Sequence, residues 1–111
     1  MNYFSVNYLE GAIEFLKSLE SKTKEKVLSN AQKATLTNDP KLFKKLDGDI
    51  WELRTNHNGL QIRLLAFWDK TDFRNTLVVA THGFVKKKSK VDRSQIEKAE
   101  KISNQYFGNS T

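Results

Sequence analysis

Apolar residues recur along this chain in two rhythms, and the change of rhythm divides it. Tyr3–Val6 is a short apolar and aromatic run that predicts a first strand. From Glu10 to Leu19 the spacing becomes helical, with Ile13, Phe15, Leu16 and Leu19 as the apolar positions. Ser21 can cap a second helix. Val27, Leu28, Ala31, Ala34 and Leu36 form its apolar stripe, and Lys22, Lys24, Glu25, Lys26 and Lys33 its wet side. Thr37, Asn38, Asp39 and Pro40 end it, because proline disfavours helix at the residue before it. Two amphipathic helices joined so briefly are expected to pack as an antiparallel hairpin and to need an apolar sheet beneath them.

Beyond the proline the rhythm shortens. Lys41–Gly48 has the composition of a connector, with Phe43 and Leu46 as apolar anchors. In Ile50–Arg54, Trp51 and Leu53 alternate with Ile50, Glu52 and Arg54. Asn56, His57, Asn58 and Gly59 are turn chemistry between two apolar runs. The next run is apolar on both faces: Ile62, Leu64, Ala66 and Trp68 on one, Leu65 and Phe67 on the other. A central strand covered on both sides has this pattern. Arg63 is its exception, on the Leu65 side. A polar loop, Asp69–Asn75, leads to Leu77–Phe84, rich in Val and Thr and expected to pair beside the central strand. Asp92 or Ser94 can cap a last helix, with Gln95 or Glu97 three residues on. That helix carries a thin stripe of Ile96, Ala99, Ile102 and Tyr106, which predicts a mobile or partner-dependent element, and Gly108–Thr111 is expected to fray. The strands within Ile50–Lys90 are expected to form an antiparallel meander.

Composition narrows the classes. A length of 111 residues suits one domain and one core. The first residues have neither the basic start nor the uninterrupted apolar stretch of a signal peptide, and no run approaches a membrane span. Cysteine is absent, which excludes disulfides and thiolate metal sites and fits a cytoplasmic home. The net charge is +6. Residues 1–40 carry five Lys and five Asp/Glu, whereas residues 41–111 carry fourteen Lys/Arg and eight Asp/Glu. The whole surplus therefore lies in the second part, as in a protein that binds a polyanion or one with a solvated basic surface.

The motifs of serine hydrolases, P-loop enzymes and zinc proteases are missing. His57 and His82 stand far apart without an organised carboxylate set, so neither a metal nor a cofactor is expected. What remains is cationic. Arg54 and Arg63 flank the turn, and counting back from it places them on adjacent strands with one face in common. Two arginines across a sheet repel each other unless a polyanion lies between them, and the guanidinium fork suits phosphate oxygens. Lys86, Lys87, Lys88 and Lys90 leave the neighbouring strand close by. Such a set matches RNA cleavage by attack of a 2′-hydroxyl on the adjacent phosphorus, where cations stabilise the charge that builds on the phosphoryl oxygens. A base takes the 2′ proton and an acid protonates the leaving oxygen, work open to His82, to His57, or to a lysine whose pKa neighbouring charge lowers. Other readings of the same residues stand beside this one. Arg63 can pair with Glu52 across the sheet, His82 can be a hydrogen-bonded core histidine, and the lysine run can be a solvated face.

Three segments, KKLDGDIWELR (Lys44–Arg54), GLQIRLLAF (Gly59–Phe67) and HGFVKKKSK (His82–Lys90), resemble the phage-derived, HigB-like branch of the RelE/ParE toxin superfamily. The likeness covers nearly the whole chain and makes residues 1–111 a single domain. It implies an α+β fold with an N-terminal helix hairpin packed on a small twisted antiparallel sheet and a C-terminal helix. It also implies a toxin of a type II toxin–antitoxin pair that acts as a ribosome-dependent mRNA endonuclease. By position, Arg54, Arg63, His82, Lys86 and Lys87 match the cationic and acid–base residues of the family's blocks. Lys44, Lys45, Lys88, Lys90 and Arg93 are candidates for RNA binding. The implied partners are a helix-turn-helix antitoxin, the ribosome and its mRNA, and operator DNA through the antitoxin, with no membrane. Ile62 stands where the family often has an aromatic residue, Asp92 where it often has proline, and no tyrosine stands after the last strand at the place where some RelE relatives have a catalytic aromatic. Two other readings remain: a ParE-like poison of a protein target such as gyrase, and a non-catalytic module that only binds an antitoxin.

Overall fold

One five-stranded sheet organises the molecule, with two helices on one face and one on the other. The computed structural model describes residues 2–71 and 77–108. Strand β1 (Ser5–Tyr8) leads into α1 (Glu10–Ser18) and α2 (Ser21–Thr37). Strands β2 (Phe43–Asp47), β3 (Ile50–His57), β4 (Leu60–Asp69) and β5 (Leu77–Lys86) follow, and α3 (Arg93–Tyr106) ends the order. The sheet runs β1-β5-β4-β3-β2. The pairs from β2 to β5 are antiparallel, and β1 joins β5 in parallel. The fold is therefore α+β with a C-terminal helix, as expected, but the sheet is mixed rather than antiparallel throughout. Two helices separate β1 from β2, so the first strand is free to join the far edge beside β5.

Local chemistry explains most boundaries. Asn38 takes a left-handed conformation and its N–H closes on the carbonyl of Ala34, so α2 stops before Pro40. Asn58 and Gly59 both have positive φ, the backbone that a two-residue hairpin between β3 and β4 demands. The Asp92 side chain caps α3 by accepting from the Ser94 N–H at 3.1 Å. The segment expected to be a connector contains β2, which pairs with β3 through Phe43 and Leu53. Its two lysines and Asp47 hide the period of a strand. Residues 72–76 of the expected polar loop, and residues 109–111 of the expected frayed end, lie outside the described residues.

Each face has its own core. Phe4, Leu16, Val27, Ala31, Phe43, Leu53, Ile62 and Leu64 pack under α1 and α2. Ile50, Leu65, Phe67 and Val79 pack under Ile96 and Ala99 of α3. Each N-terminal helix seats on the sheet, α1 over β5 and α2 over β3, rather than mainly on the other. The apolar stripes are narrower than the spacing suggests: Ile13 and Leu36 are exposed, and α1 turns Ala12 and Leu16 inward. A β-bulge falls in β5, where Leu65 pairs with His82 but Ala66 pairs with Ala80, leaving Thr81 as the extra residue. The bulge switches the alternation. Val79 before it and His82 after it both face α3, and Gly83 faces α1. A side chain at Gly83 would meet the Phe15 ring at 2.2 Å, so glycine is what lets α1 lie this close to β5.

Candidate functional site

Directly paired residues of antiparallel strands share a face, so the register places the charged residues in rows. One row on the α3 face runs Lys44, Glu52, Leu65, His82. The next runs Arg54, Arg63, Phe84, and the one beyond it Asn56, Gln61, Lys86. Helix α3 covers the apolar part of this face, and the last two rows lead away from it toward the β3–β4 turn. The expected pairing of Arg54 with Arg63 on one face is present in the register.

The two arginines differ in depth. Arg63 is 1% exposed, and its Nε lies 3.1 Å from Glu52 Oε1. Its Nη1 donates to the carbonyl of Ile62 at 3.0 Å and its Nη2 to Gln61 Oε1 at 3.4 Å. Arg54 is half-buried, with Nε 3.9 Å from Glu52 Oε2. Glu52 thus holds both guanidinium groups, the cross-strand ion pair that the sequence left open. The pairing is incomplete as hydrogen bonding: Glu52 Oε1 and both Nε atoms are buried without a hydrogen-bond partner among the described residues. Burial pulls the pKa of Arg63 down, Glu52 pushes it back up, and the charge of Arg54 lowers it again. One carboxylate facing two arginines leaves the cluster net positive. Arg54 is the member that a ligand can reach.

His82 is also buried, at 3% exposure. Its Nδ1 lies 2.9 Å from Thr81 Oγ1 and its Nε2 lies 2.8 Å from Gln95 Oε1 on α3. Burial holds its pKa below the ordinary value; the Gln95 contact raises it and the nearby charge of Lys98 lowers it. The ring is therefore a neutral, doubly held group under a helix, the hydrogen-bonded core histidine of the alternative reading. As placed, neither Arg63 nor His82 can touch a ligand directly, because protein covers both. His57 is at the hairpin turn, paired with Leu60.

The lysines form the accessible part. A cavity of about 160 Å³ opens between the end of β5 and the start of α3, lined by Phe84, Lys86, Lys87, Lys88, Lys90 and Gln95 among others. Phe84 is also the direct neighbour of Arg63, so the arginine row and the lysine cavity adjoin. Lys88 lies 3.6 Å from Asp92 at the solvent surface. The other RNA-binding candidates separate. Lys44 is exposed in the row of Glu52. Lys45 lines a larger cavity of about 530 Å³, at the far end of the sheet, with Trp51, Trp68 and Phe107. Arg93 is tied to Asp47 and lies 3.7 Å from Glu97, so it tethers α3 to the end of β2. Three residues of the site escaped the sequence. Glu52 appears there only as a counterion for Arg63, Gln95 only as a capping residue, and Thr81 not at all, since nothing local marks a bulge. No group of three or more His, Cys, Asp or Glu side chains among the described residues could hold a metal ion.

This arrangement of sheet and helices is a RelE-like fold. Residues 14–104 match the model of the Gp49-like phage-derived protein family, and the chain belongs to that family. The chain is similar to the free-state structure of a double mutant of the E. coli toxin RelE, at 15% identity and a TM-score of 0.59, over 89% of this chain and 94% of that one. It is also similar to a chain of the toxin–antitoxin complex RelBE2 from Mycobacterium tuberculosis, at 20% identity and a TM-score of 0.58, over 78% of this chain and all of that one. No curated protein matches the chain.

Proposed function

We propose that this chain is the toxin of a type II toxin–antitoxin pair, of the HigB-like branch, and that it cleaves mRNA on the ribosome in the cytoplasm. The observation that carries the reading is the continuity of Arg54, held beside Arg63 by Glu52, with the lysine cavity next to Phe84. Membership of a phage-derived family and a RelE-like fold support it. An antitoxin is the expected partner, by analogy with the complex whose fold is similar. Its helix-turn-helix character and its contact with operator DNA belong to the same proposal.

The chemistry follows from what is accessible. The 2′-hydroxyl of one nucleotide gives its proton to water as its oxygen forms a bond to the adjacent phosphorus and the bond from phosphorus to the 5′-oxygen breaks. The products carry a 2′,3′-cyclic phosphate and a free 5′-hydroxyl. Charge develops on the two non-bridging oxygens, where Arg54 and Lys86 supply cations from two strands. Lys87, Lys88 and Lys90 hold the flanking phosphates, and a lysine ammonium protonates the departing 5′-oxygen. Arg63 acts from beneath by fixing Glu52, and Glu52 in turn fixes Arg54.

Arg54→Ala and a Lys86→Ala/Lys87→Ala double variant test this, because both alter accessible side chains and leave the core intact. Each is expected to remove growth arrest on induction, and with it the new 5′ ends that primer extension detects inside translated codons. Folded variants as toxic as the wild type would rule out the cationic site. Arrested growth with intact message would point instead to a protein target such as gyrase.

A further inference from the structure

Gln95 is turned in a direction that its place in the helix does not explain. It stands three residues after the capping Asp92, where a glutamine ordinarily reaches back to the backbone N–H of the capping residue. Here its Oε1 lies instead 2.8 Å from His82 Nε2, on the inner side of α3. The ring is fixed at its other nitrogen by Thr81 Oγ1 at 2.9 Å, and Thr81 is the bulge residue, with Oγ1 also 3.1 Å from the carbonyl of Leu65. A chain of polar contacts therefore runs from the bulge in β5, through a buried imidazole, to the carboxamide of Gln95.

The far end of that chain is exposed to the lysine cavity. Gln95 forms part of its wall, together with Phe84 and the lysines. With the ring hydrogen of His82 on Nε2, that N–H donates to Gln95 Oε1, the one Thr81 hydroxyl hydrogen goes to Nδ1 rather than to the Leu65 carbonyl, and the amide NH2 of Gln95 is not engaged by the ring. No described residue accepts from that NH2. The lysines around it are flexible point charges, whereas this donor has its carbonyl clamped and its direction set. A fixed donor beside mobile cations is suited to an oxygen on which charge develops.

We propose that Gln95 donates its side-chain N–H to a phosphoryl oxygen of the bound RNA, and that His82 and Thr81 are positioning residues that aim it. This rests on the RNA-cleaving reading above and gives His82 a role other than moving a proton. Both of its nitrogens are occupied and Gln95 stands between it and the cavity.

The test is single-turnover cleavage of a reporter mRNA on purified ribosomes, with a thermal melt of each variant. Gln95→Met, which keeps length and removes the donor, is expected to slow cleavage by about tenfold or more, as loss of one oriented donor does. His82→Phe removes the contact that aims Gln95 and is expected to give the same loss, with the double variant no slower than either single. His82→Gln keeps an N–H donor but cannot titrate, and is expected to stay within about threefold of wild type with an unchanged pH profile. Wild-type cleavage by Gln95→Met overturns the proposal, as does a folded but inactive His82→Gln. Either result leaves the RNA-cleaving reading in place. Intact message with the wild-type chain overturns both.

Discussion

The two faces of the sheet are built from the same strands by opposite means. Under α1 and α2 the buried side chains are almost all apolar, and the aromatic rings of Phe4, Phe43, Trp51 and Trp68 stack and tilt on one another at centroid distances of 4.8–5.9 Å. Under α3 the same strands bury Glu52, Arg63 and His82. Buried charge is a poor way to stabilise a sheet, because desolvation offsets most of the Coulomb gain. The first face holds the fold mainly by packing; its buried polar side chains are the threonines Thr23, Thr35 and Thr55, and Thr55 Oγ1 accepts from Asn30 Nδ2 at 3.2 Å. The second gives up packing for a fixed arrangement of charge at the margin of α3, which makes it the face with chemistry to perform.

Helix α3 shows the same contrast along its own length. Its apolar stripe is thin, as the sequence indicated, and it docks by polar and aromatic anchors instead. Arg93 reaches Asp47 and Gln95 reaches His82 near its start. At its end Tyr106 donates to Asp69 at 2.7 Å, and the Phe67 ring lies 5.1 Å from Tyr106 and 5.4 Å from Phe107. Thr71 and Tyr106 hold the Asp69 carboxyl below its usual range, and Asp69 in turn raises the phenol of Tyr106. The aromatic residues at the end of α3 join the core of the sheet where aliphatic ones are missing.

Breaking the buried charge should have the largest effect. Glu52→Ala leaves Arg63 buried with no counterion and should lower stability by about 3–5 kcal/mol, as much as a large-to-small change in the apolar core. Replacing Glu52 and Arg63 together by methionine should recover most of that loss while growth arrest stays abolished. Urea unfolding of the single and double variants measures both halves. A double variant no more stable than Glu52→Ala would mean that the pair is needed for packing, and the contrast between the faces would fail.

A smaller effect follows from pH. Because burial lowers the pKa of His82 in the folded chain, the unfolded chain takes up a proton in mild acid that the folded chain refuses. The stability linked to this group is therefore complete above the ordinary histidine value of about 6.5 and declines as pH falls below it. Asp69 acts in the same direction lower down: its contribution is present above the ordinary carboxylate range and is lost as pH drops through its depressed value. Melting temperature should fall between pH 7 and pH 5, and His82→Gln should flatten that slope. An equal slope in both proteins would contradict the buried neutral histidine. Arg54→Ala is expected to produce the smallest stability change of all, since the side chain is half-exposed, even though it should abolish growth arrest.

Sequence pattern reached the parts of the molecule that local chemistry decides. The helices, the Asn58–Gly59 turn, the two-faced strand β4 and the shared face of Arg54 and Arg63 all follow from spacing and turn residues. It missed what distance in the chain decides. The parallel pairing of β1 with β5 joins segments about seventy residues apart, and neither strand carries a mark of the other. Strand β2 was hidden because an edge strand need bury only one side, and its exposed lysines look like a loop. The depth of Arg63 and His82 was illegible for a related reason. A charge in an apolar strand has the same spelling whether it faces solvent or a carboxylate, and only the register that brings Glu52 beside it decides. The bulge at Thr81 adds a further step, since one extra residue determines that His82 faces α3 rather than α1.

The most direct measurement incubates the purified wild-type chain with ribosomes and two reporter messages, one with its start codon and one without, and maps the 5′ ends. A ribosome-dependent nuclease gives discrete new ends inside the reading frame of the first message and none in the second. Ends in both messages would make the chain a free ribonuclease and contradict its dependence on the ribosome. Intact messages in both, from a preparation that still arrests growth, would contradict the RNA-cleaving site itself.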